Sequence, residues 1–384
     1  MQTDTTTEAR GAQPESTSRL PRFYRPELDV LRFFAFLGVF FVHGPAYSLP
    51  AYATAAQKET LRHFYIAREA GDFGLDIFFL LSSYLITELL LRERESTGKI
   101  HLEAFYTRRI LRIWPLYFLV IALGFSASLL IPQAQALTKA QLLYLLFFVG
   151  WLGKSTFHNG VGVLWSISVE EWFYIIWPGI TKIGGARSVL FAALAIIPIA
   201  LMAAAMVEDT WFNPIVQFLF FSVGALLALA LRRRSLKQLP LLARAAMAVF
   251  GLWAFWVVGA YIGGYTDNMR PALTSAMYLL DALGCIAIFL VFYDMPKRLL
   301  PRPLIYLGKI SYGLYVFHPF ALVAVGRVIH SPMLGQNAVV PRLLVMNAAA
   351  LGLTVLIASC SYRWFEKPIL ALKERFGYIP SRAA

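Results

Sequence analysis

The chain has 384 residues, of which 58% are apolar and 15% are charged, and its formal net charge is +13 at pH 7. A soluble domain is about 45–50% apolar, so this composition excludes an ordinary soluble protein and indicates an integral membrane protein. The positive charge lies mostly in short segments between apolar runs, which predicts a topology signal and no nucleic-acid partner. Both cysteines lie within apolar runs, which excludes a disulfide framework.

A polar segment opens the chain. Residues 1–28 are rich in Thr, Glu, Ser and Pro and lack the apolar stretch of a signal peptide. This composition is typical of disorder. We therefore predict a disordered cytoplasmic tail over 1–28, a transmembrane domain over 29–366 and a cytoplasmic tail over 367–384.

Ten apolar runs follow this tail. Each is close to the ~20 residues that an α-helix needs to cross ~30 Å of hydrocarbon. They predict an all-α polytopic transmembrane bundle of about ten membrane-spanning helices. The predicted spans are 29–48, 72–91, 113–132, 164–181, 189–207, 214–231, 245–261, 272–293, 310–326 and 343–362.

An eleventh run, Gln141–Leu152, is ambiguous. As a helix its ~12 residues would reach only ~18 Å, too short to span. Ten spans with a cytoplasmic N-terminus put most Lys and Arg residues inside, whereas an extra span would move the basic cluster around Arg234 outside. We predict a re-entrant or interfacial segment here and both termini in the cytoplasm.

The first span carries Arg32 and His43. An ionisable residue inside a bilayer is costly, so each is a candidate functional residue. Helical steps of ~1.5 Å separate them by about 16 Å and roughly three turns, so both face the same side. Arg32 is predicted near the cytoplasmic end and His43 in the outer third. A lone histidine in a helix is often structural, but the paired arginine favours a function.

Three carboxylates have predicted depths near that of His43. Asp76 lies about one turn below the outer surface in the second span, and Glu170 and Glu171 lie ~9–10 Å deep in the fourth. Adjacent helix positions point ~100° apart, so only one of the two glutamates can face a given cavity, and the sequence leaves open which. Any of the three carboxylates would suit a partner that orients His43 and stabilises its imidazolium.

Arg108, Arg109 and Arg112 precede the third span. Arg109 and Arg112 are three residues apart and so share a helical face. Arginine grips phosphate with a bidentate fork, which suggests a phosphate-bearing ligand at the cytoplasmic face. The alternative is a topology anchor that follows the positive-inside rule.

The ninth span contains His318 followed by Pro319, which predicts a kink. A structural histidine bonded to a neighbouring helix explains His318 at least as well as a catalytic one. The sequence has no zinc-ligand spacing, no nucleotide-binding glycine loop and no Gly-x-Ser-x-Gly elbow. We therefore expect no metal.

In order and spacing, these motifs resemble the acyltransferase 3 family of membrane acyltransferases over nearly the whole chain. The matching pieces are Arg32 followed by His43, Asp76-Ile77-Phe78-Phe79, Arg109-x-x-Arg112, Leu164 through Glu171, Ser311 through His318, and Phe365-Glu366-Lys367-Pro368. Where the family usually has Ser-Gly, Gln and Gly, this chain has Ser82-Ser83, Trp172 and Val30.

The resemblance implies an O-acyltransferase with acyl-coenzyme A, most often acetyl-coenzyme A, as donor. It implies that Arg32, His43, Arg109 and Arg112 are essential, and that the acceptor is a carbohydrate, a glycolipid or another hydroxylated compound. Some family members carry a second, soluble esterase-like domain; we expect none here, and we expect transfer to the acceptor to occur within the one membrane domain. We expect a multi-pass protein of the bacterial inner (plasma) membrane.

Two functional hypotheses remain at this stage. In the first, Arg32, Arg108, Arg109 and Arg112 hold the phosphates of acyl-coenzyme A, and His43 acts as general base on the acceptor hydroxyl; an acyl-histidine intermediate stays open. In the second, the protein is a carrier or flippase for a lipid-linked sugar or anion. A scaffold function would leave these residues unexplained.

Overall fold

The computed structural model describes residues 23–44, 55–130, 137–152, 160–207, 209–232, 234–236, 239–262, 270–329, 339–372 and 376. All regular secondary structure within these residues is helical. Most of the predicted disordered tail, 1–22, and part of the C-terminal tail lie outside the described residues. The α-helices are α1 Pro26–His43, α2 Ala55–Glu69, α3 Phe73–Thr97, α4 Leu102–Leu130, α5 Lys139–Leu146, α6 Leu164–Gly184, α7 Ala186–Met206, α8 Pro214–Leu231, α9 Leu241–Ile262, α10 Pro271–Phe292, α11 Arg302–Lys309, α12 Ser311–Ile329, α13 Val339–Ser361 and α14 Lys367–Leu372.

Each predicted span overlaps one long helix of this set, and the protein is an all-helical, multi-pass membrane protein. In the described chain, 7 helical stretches are long and apolar enough to cross a membrane. Three further long helices, α1, α6 and α12, fall short of that criterion. They carry the ionisable residues of the first, fourth and ninth predicted spans, which lowers their hydropathy. A total of about ten spans therefore remains a prediction.

Helix boundaries differ from the predictions at several places. The first helix ends at His43, not at residue 48, and α4 already begins at Leu102. Hydropathy marks only the apolar part of a helix, so charged turns that extend it are missed. The amphipathic α2 was missed for the same reason. The run Gln141–Leu152 overlaps the 8-residue α5, which is too short to span, as predicted.

The helix α1 lies at the centre of the bundle. Its side chains Leu28, Phe36 and Phe40 are fully buried. Two glycines on neighbouring helices permit this close packing. A Cβ on Gly74 of α3 would collide with the backbone of Ala35, and one on Gly308 of α11 would collide with the carbonyl of Asp29. Small residues at such crossings let membrane helices approach backbone to backbone, and here they hold α1 and its Arg32–His43 face in a defined position.

Candidate active site

A cleft runs along α3, whose side chains line it from Leu75 to Glu93. At ~1.5 Å per residue these positions extend over roughly 27 Å. Residues of α1, α4, α6, α11 and α12 complete its walls. Because its lining extends over this length, the cleft is suited to a long, extended ligand.

Cationic side chains line one end of this cleft, which we call the arginine end. They come from the start of α1, from α4 and from α11, and all four predicted donor-binding arginines are among them. The lining cations are Arg25, Arg32, Arg108, Arg109, Arg112 and Lys309. The acidic residues Asp29 and Glu93 also line this end. Cations outnumber acids there, so the arginine end attracts an anionic ligand.

Several of these cations are held by acidic partners. Arg32 Nη1 donates to Asp29 Oδ1 at 2.8 Å, and Arg108 Nη2 donates to Glu93 Oε2 at 3.2 Å. Arg25 pairs with Asp294 in the segment that follows α10. Burial alone would raise the pKa of the Asp294 carboxyl, but the backbone N–H of Leu236 and the Arg25 guanidinium lower it below its ordinary value. Asp294 thus stays ionised and keeps Arg25 in place.

Arg109 has a different environment. Its guanidinium lies 5.5 Å from the ring centre of Phe105 and 5.4 Å from that of Tyr174. Its Nε is buried and has no hydrogen-bond partner among the described residues. A buried donor without a partner costs free energy unless a ligand satisfies it. Arg109 is therefore the residue of this end best placed to meet an incoming anion.

The structure separates the two adjacent glutamates of α6. Glu170 lines the middle of the cleft and accepts hydrogen bonds from Ser82 and Tyr174. Glu171 points elsewhere, and its Oε2 accepts from Trp114 Nε1 at 3.2 Å. Only Glu170 of the pair faces the cleft, as the ~100° between adjacent helix positions requires.

The far end of the cleft, which we call the histidine end, is lined by Tyr315 and Ser166. Their hydroxyls are hydrogen-bonded at 2.7 Å. Beyond Tyr315 lie the two histidines: His318 Nε2 is 3.3 Å from His43 Nδ1, and the ring centres are 5.0 Å apart. His43 itself is exposed at the end of α1. The first and ninth predicted spans thus bring their histidines into direct contact.

Asp76 is not among the side chains that line the cleft. It is fully buried and faces Asp281 of α10, which also accepts a hydrogen bond from the Cys285 thiol at 3.5 Å. Among the described residues, no hydrogen bond or ion pair joins His43 to Asp76, Glu170 or Glu171. The predicted carboxylate partner of His43 is thus replaced, in this structure, by His318.

Sequence reasoning missed three features of the site. Arg25 and Lys309 line the arginine end, but each precedes a predicted span and reads as a topology residue. Tyr315 lines the histidine end and precedes His318 by one turn. Its position in the Tyr-x-x-His-Pro pattern was an available signal. Within the described chain, no group of three His, Cys, Asp or Glu residues is arranged to hold a metal ion.

Comparison with known proteins places these features in context. A family model for an acyltransferase domain matches residues 25–362. The chain is 27% identical over 393 residues to a "Putative O-acetyltransferase" of Staphylococcus aureus strain MRSA252, with 93% of this chain and 60% of that protein covered. It is 27% identical over 377 residues to the "Putative peptidoglycan O-acetyltransferase YrhL" of Bacillus subtilis strain 168, with 90% of this chain and 55% of that protein covered.

A third relative is the "O-acetyltransferase OatA" of Staphylococcus aureus strain NCTC 8325, which is 23% identical over 389 residues, with 94% of this chain and 59% of that protein covered. The chain thus spans about 60% of the length of the curated relatives it matches. No solved structure matches the chain significantly.

Proposed function

We propose that this chain, which belongs to the acyltransferase domain family, is a membrane O-acetyltransferase that uses acyl-coenzyme A as donor. The acyl group, in our proposal acetyl, passes to a hydroxyl of a carbohydrate acceptor. The observation that carries the proposal is the cleft, which leads from the arginine end to Tyr315 beside the His43–His318 pair. Relatives named as O-acetyltransferases support the same chemistry.

The arginine end suits the nucleotide part of the donor. Coenzyme A carries several phosphate charges, and the cations that line this end outnumber the acids there. The partnerless Nε of Arg109 provides a charge-assisted hydrogen bond, while Arg32 and Arg108 are oriented by Asp29 and Glu93. The pantetheine arm would follow α3, because the cleft along that helix is roughly 27 Å long.

The histidine end suits the transfer step. His43 would take the proton of the acceptor hydroxyl, and the oxygen would then attack the thioester carbonyl carbon. As the carbon–sulfur bond breaks, the proton passes to the coenzyme A thiolate, so protons and electrons balance. The exposure of His43 supports this role, since an acceptor can approach it from outside the bundle.

We further propose that the arginine end faces the cytoplasm, where acyl-coenzyme A is made, with both termini inside. A reporter fused after Ala384 or inserted near Arg234 is then expected to read cytoplasmic, and one inserted near Asn159 or Asp267 external. Alkaline phosphatase and green fluorescent protein fusions measure this. A cytoplasmic signal at Asn159 would contradict ten spans and the proposed orientation of the cleft.

The proposed activity has a direct test. Purified protein in detergent is expected to transfer label from [¹⁴C]acetyl-coenzyme A to soluble peptidoglycan fragments or to glycolipids extracted from membranes, with release of free coenzyme A. The first acceptor is suggested by the name of the Bacillus subtilis relative. If labelled sugar crosses proteoliposome membranes unchanged and no coenzyme A is released with either acceptor, the protein is a carrier and the proposal is wrong.

A further inference from the structure

The two histidines that meet beyond the cleft come from helices far apart in sequence. His43 is the last residue of α1, and His318 is fully buried in α12. The rings of Phe36, Phe40 and Tyr315 lie 5.9, 6.3 and 5.7 Å from the His318 ring, centre to centre. This aromatic cage fixes the orientation of His318.

The proton on His318 is assigned by a backbone carbonyl. His318 Nδ1 lies 2.6 Å from the carbonyl oxygen of Tyr315. A carbonyl can only accept, so Nδ1 carries the proton and Nε2 of the neutral ring is left with a lone pair. The following residue makes this possible: Pro319 has no N–H, so it cannot donate the usual helical bond to the carbonyl of Tyr315. The Tyr-x-x-His-Pro pattern thus orients its own histidine.

The proton on His43 follows from the same logic. His43 Nδ1 lies 2.9 Å from the carbonyl oxygen of Val39 and 3.3 Å from His318 Nε2. Both neighbours are acceptors, so His43 Nδ1 carries the proton. Its Nε2 is then the nitrogen with a free lone pair, the one that a general base requires.

We propose that His318 is a positioning residue that holds His43 in the Nδ1–H tautomer and keeps its Nε2 available as the base. The inference rests on the proposed acyl transfer and deepens it. When His43 Nε2 takes the acceptor's proton, the positive charge on the imidazolium is shared through the Nδ1–H bond to the neutral His318. This is the task that a carboxylate performs in a catalytic triad.

The surrounding carboxylates support a histidine in this role. Asp76 faces Asp281, and Glu170 is bonded to Ser82 and Tyr174. In the part of the chain that the structure describes, the only side chain that hydrogen-bonds to His43 is His318. The partner of His43 is therefore an uncharged acceptor, which orients the ring without placing a second full charge in the bundle.

The first test compares His318→Leu, which fills the volume but removes the acceptor, with His318→Gln, whose amide oxygen keeps one. We expect His318→Leu to lower kcat by about 10- to 150-fold, the value of a hydrogen bond to a charged group, with the donor Kd unchanged. His318→Gln should recover part of this loss. Pro319→Ala, which restores a donor to the carbonyl of Tyr315, should lower kcat by a smaller factor.

The packing control is Val316→Ala, a buried position two residues before His318. A positioning role is contradicted if His318→Leu keeps the wild-type kcat. It is also contradicted if His318→Leu and His318→Gln lose both turnover and donor binding to the same extent as Val316→Ala.

A second measurement does not depend on activity. The chain has 6 histidines, so ¹⁵N-histidine labelling with His43→Asn as an assignment reference identifies the His43 ring nitrogens by NMR. We expect the Nδ1–H tautomer in the wild-type protein and a mixture of tautomers in His318→Leu. An Nε2–H tautomer in the wild type would overturn the inference. Failure of the wild type to transfer acetyl groups, with the expected tautomer present, would instead count against the proposed function alone.

Discussion

Replacing His43 with alanine is expected to abolish acyl transfer while the protein still inserts, folds and binds its donor. His43 does not line the arginine end, and helix geometry separates it from Arg32 by about 16 Å. Its loss should therefore affect the chemical step and leave the phosphate contacts intact. General base catalysis is worth about 10²–10⁴ in rate. Turnover and donor affinity, measured on the same detergent-purified sample, separate these two effects.

The matched control is His63→Ala. His63 is an exposed histidine on α2 that stacks on Trp256 outside the cleft, so its replacement should leave turnover unchanged. A nucleophilic His43 would leave a trappable acyl-enzyme when the acceptor is withheld, which mass spectrometry detects. Retention of more than about a tenth of the wild-type rate in His43→Ala would contradict the assignment of His43 as the base.

The second large effect is expected at the donor site. Arg109→Ala should weaken acyl-coenzyme A binding by roughly 10- to 150-fold, since a buried charge-assisted contact is worth ~1.5–3 kcal/mol. Arg109 is chosen because its buried Nε lacks a hydrogen-bond partner among the described residues, so the mutation is expected to remove a ligand contact without breaking an ion pair within that part of the chain. Isothermal calorimetry with coenzyme A, or competition with labelled donor, measures the change.

Two variants make this test specific. Arg109→Lys should restore only part of the affinity, because lysine keeps the charge but loses the bidentate fork. Arg187→Ala removes an exposed cation at the start of α7 that does not line the cleft, and should bind the donor like the wild type. Wild-type donor affinity in Arg109→Ala would mean that this arginine acts only in topology or packing.

Much of the architecture was predictable from hydropathy alone. Every predicted span overlaps a long helix, because the need to satisfy backbone hydrogen bonds in hydrocarbon leaves few alternatives to the helix. The errors lie where that argument stops applying. The amphipathic α2 and the charged first turns of α4 carry too little apolar surface for hydropathy to detect.

The arginine end was also predictable in outline. The spacing of Arg109 and Arg112 gives a shared helical face, and Arg32 follows from its isolated position in an apolar run. All of them line one cleft. The sequence did not reveal that the buried Nε of Arg109 has no hydrogen-bond partner among the described residues. The pairs Arg108–Glu93 and Arg25–Asp294 were also hidden, because each joins different segments of the chain.

The partners of the buried carboxylates required the tertiary structure. Helical periodicity predicts that Glu170 and Glu171 face different directions. Only the packing of α3, α4 and α6 decides that Glu170 lines the cleft and that Glu171 accepts a hydrogen bond from Trp114. In the same way, similar depths suggested that Asp76 would reach His43. The approach of α10 to α3 gives it Asp281 as its neighbour instead.

The amino-acid sequence by itself determined the membrane class, the helical architecture, the acyltransferase resemblance and the common face of Arg32 and His43. These properties depend on composition and on short-range periodicity, which the chain encodes locally. Only the tertiary structure decided that His43 meets His318, a contact between residues 275 positions apart. That contact depends on how α1 and α12 pack, and packing between distant helices leaves no periodic signal in either one.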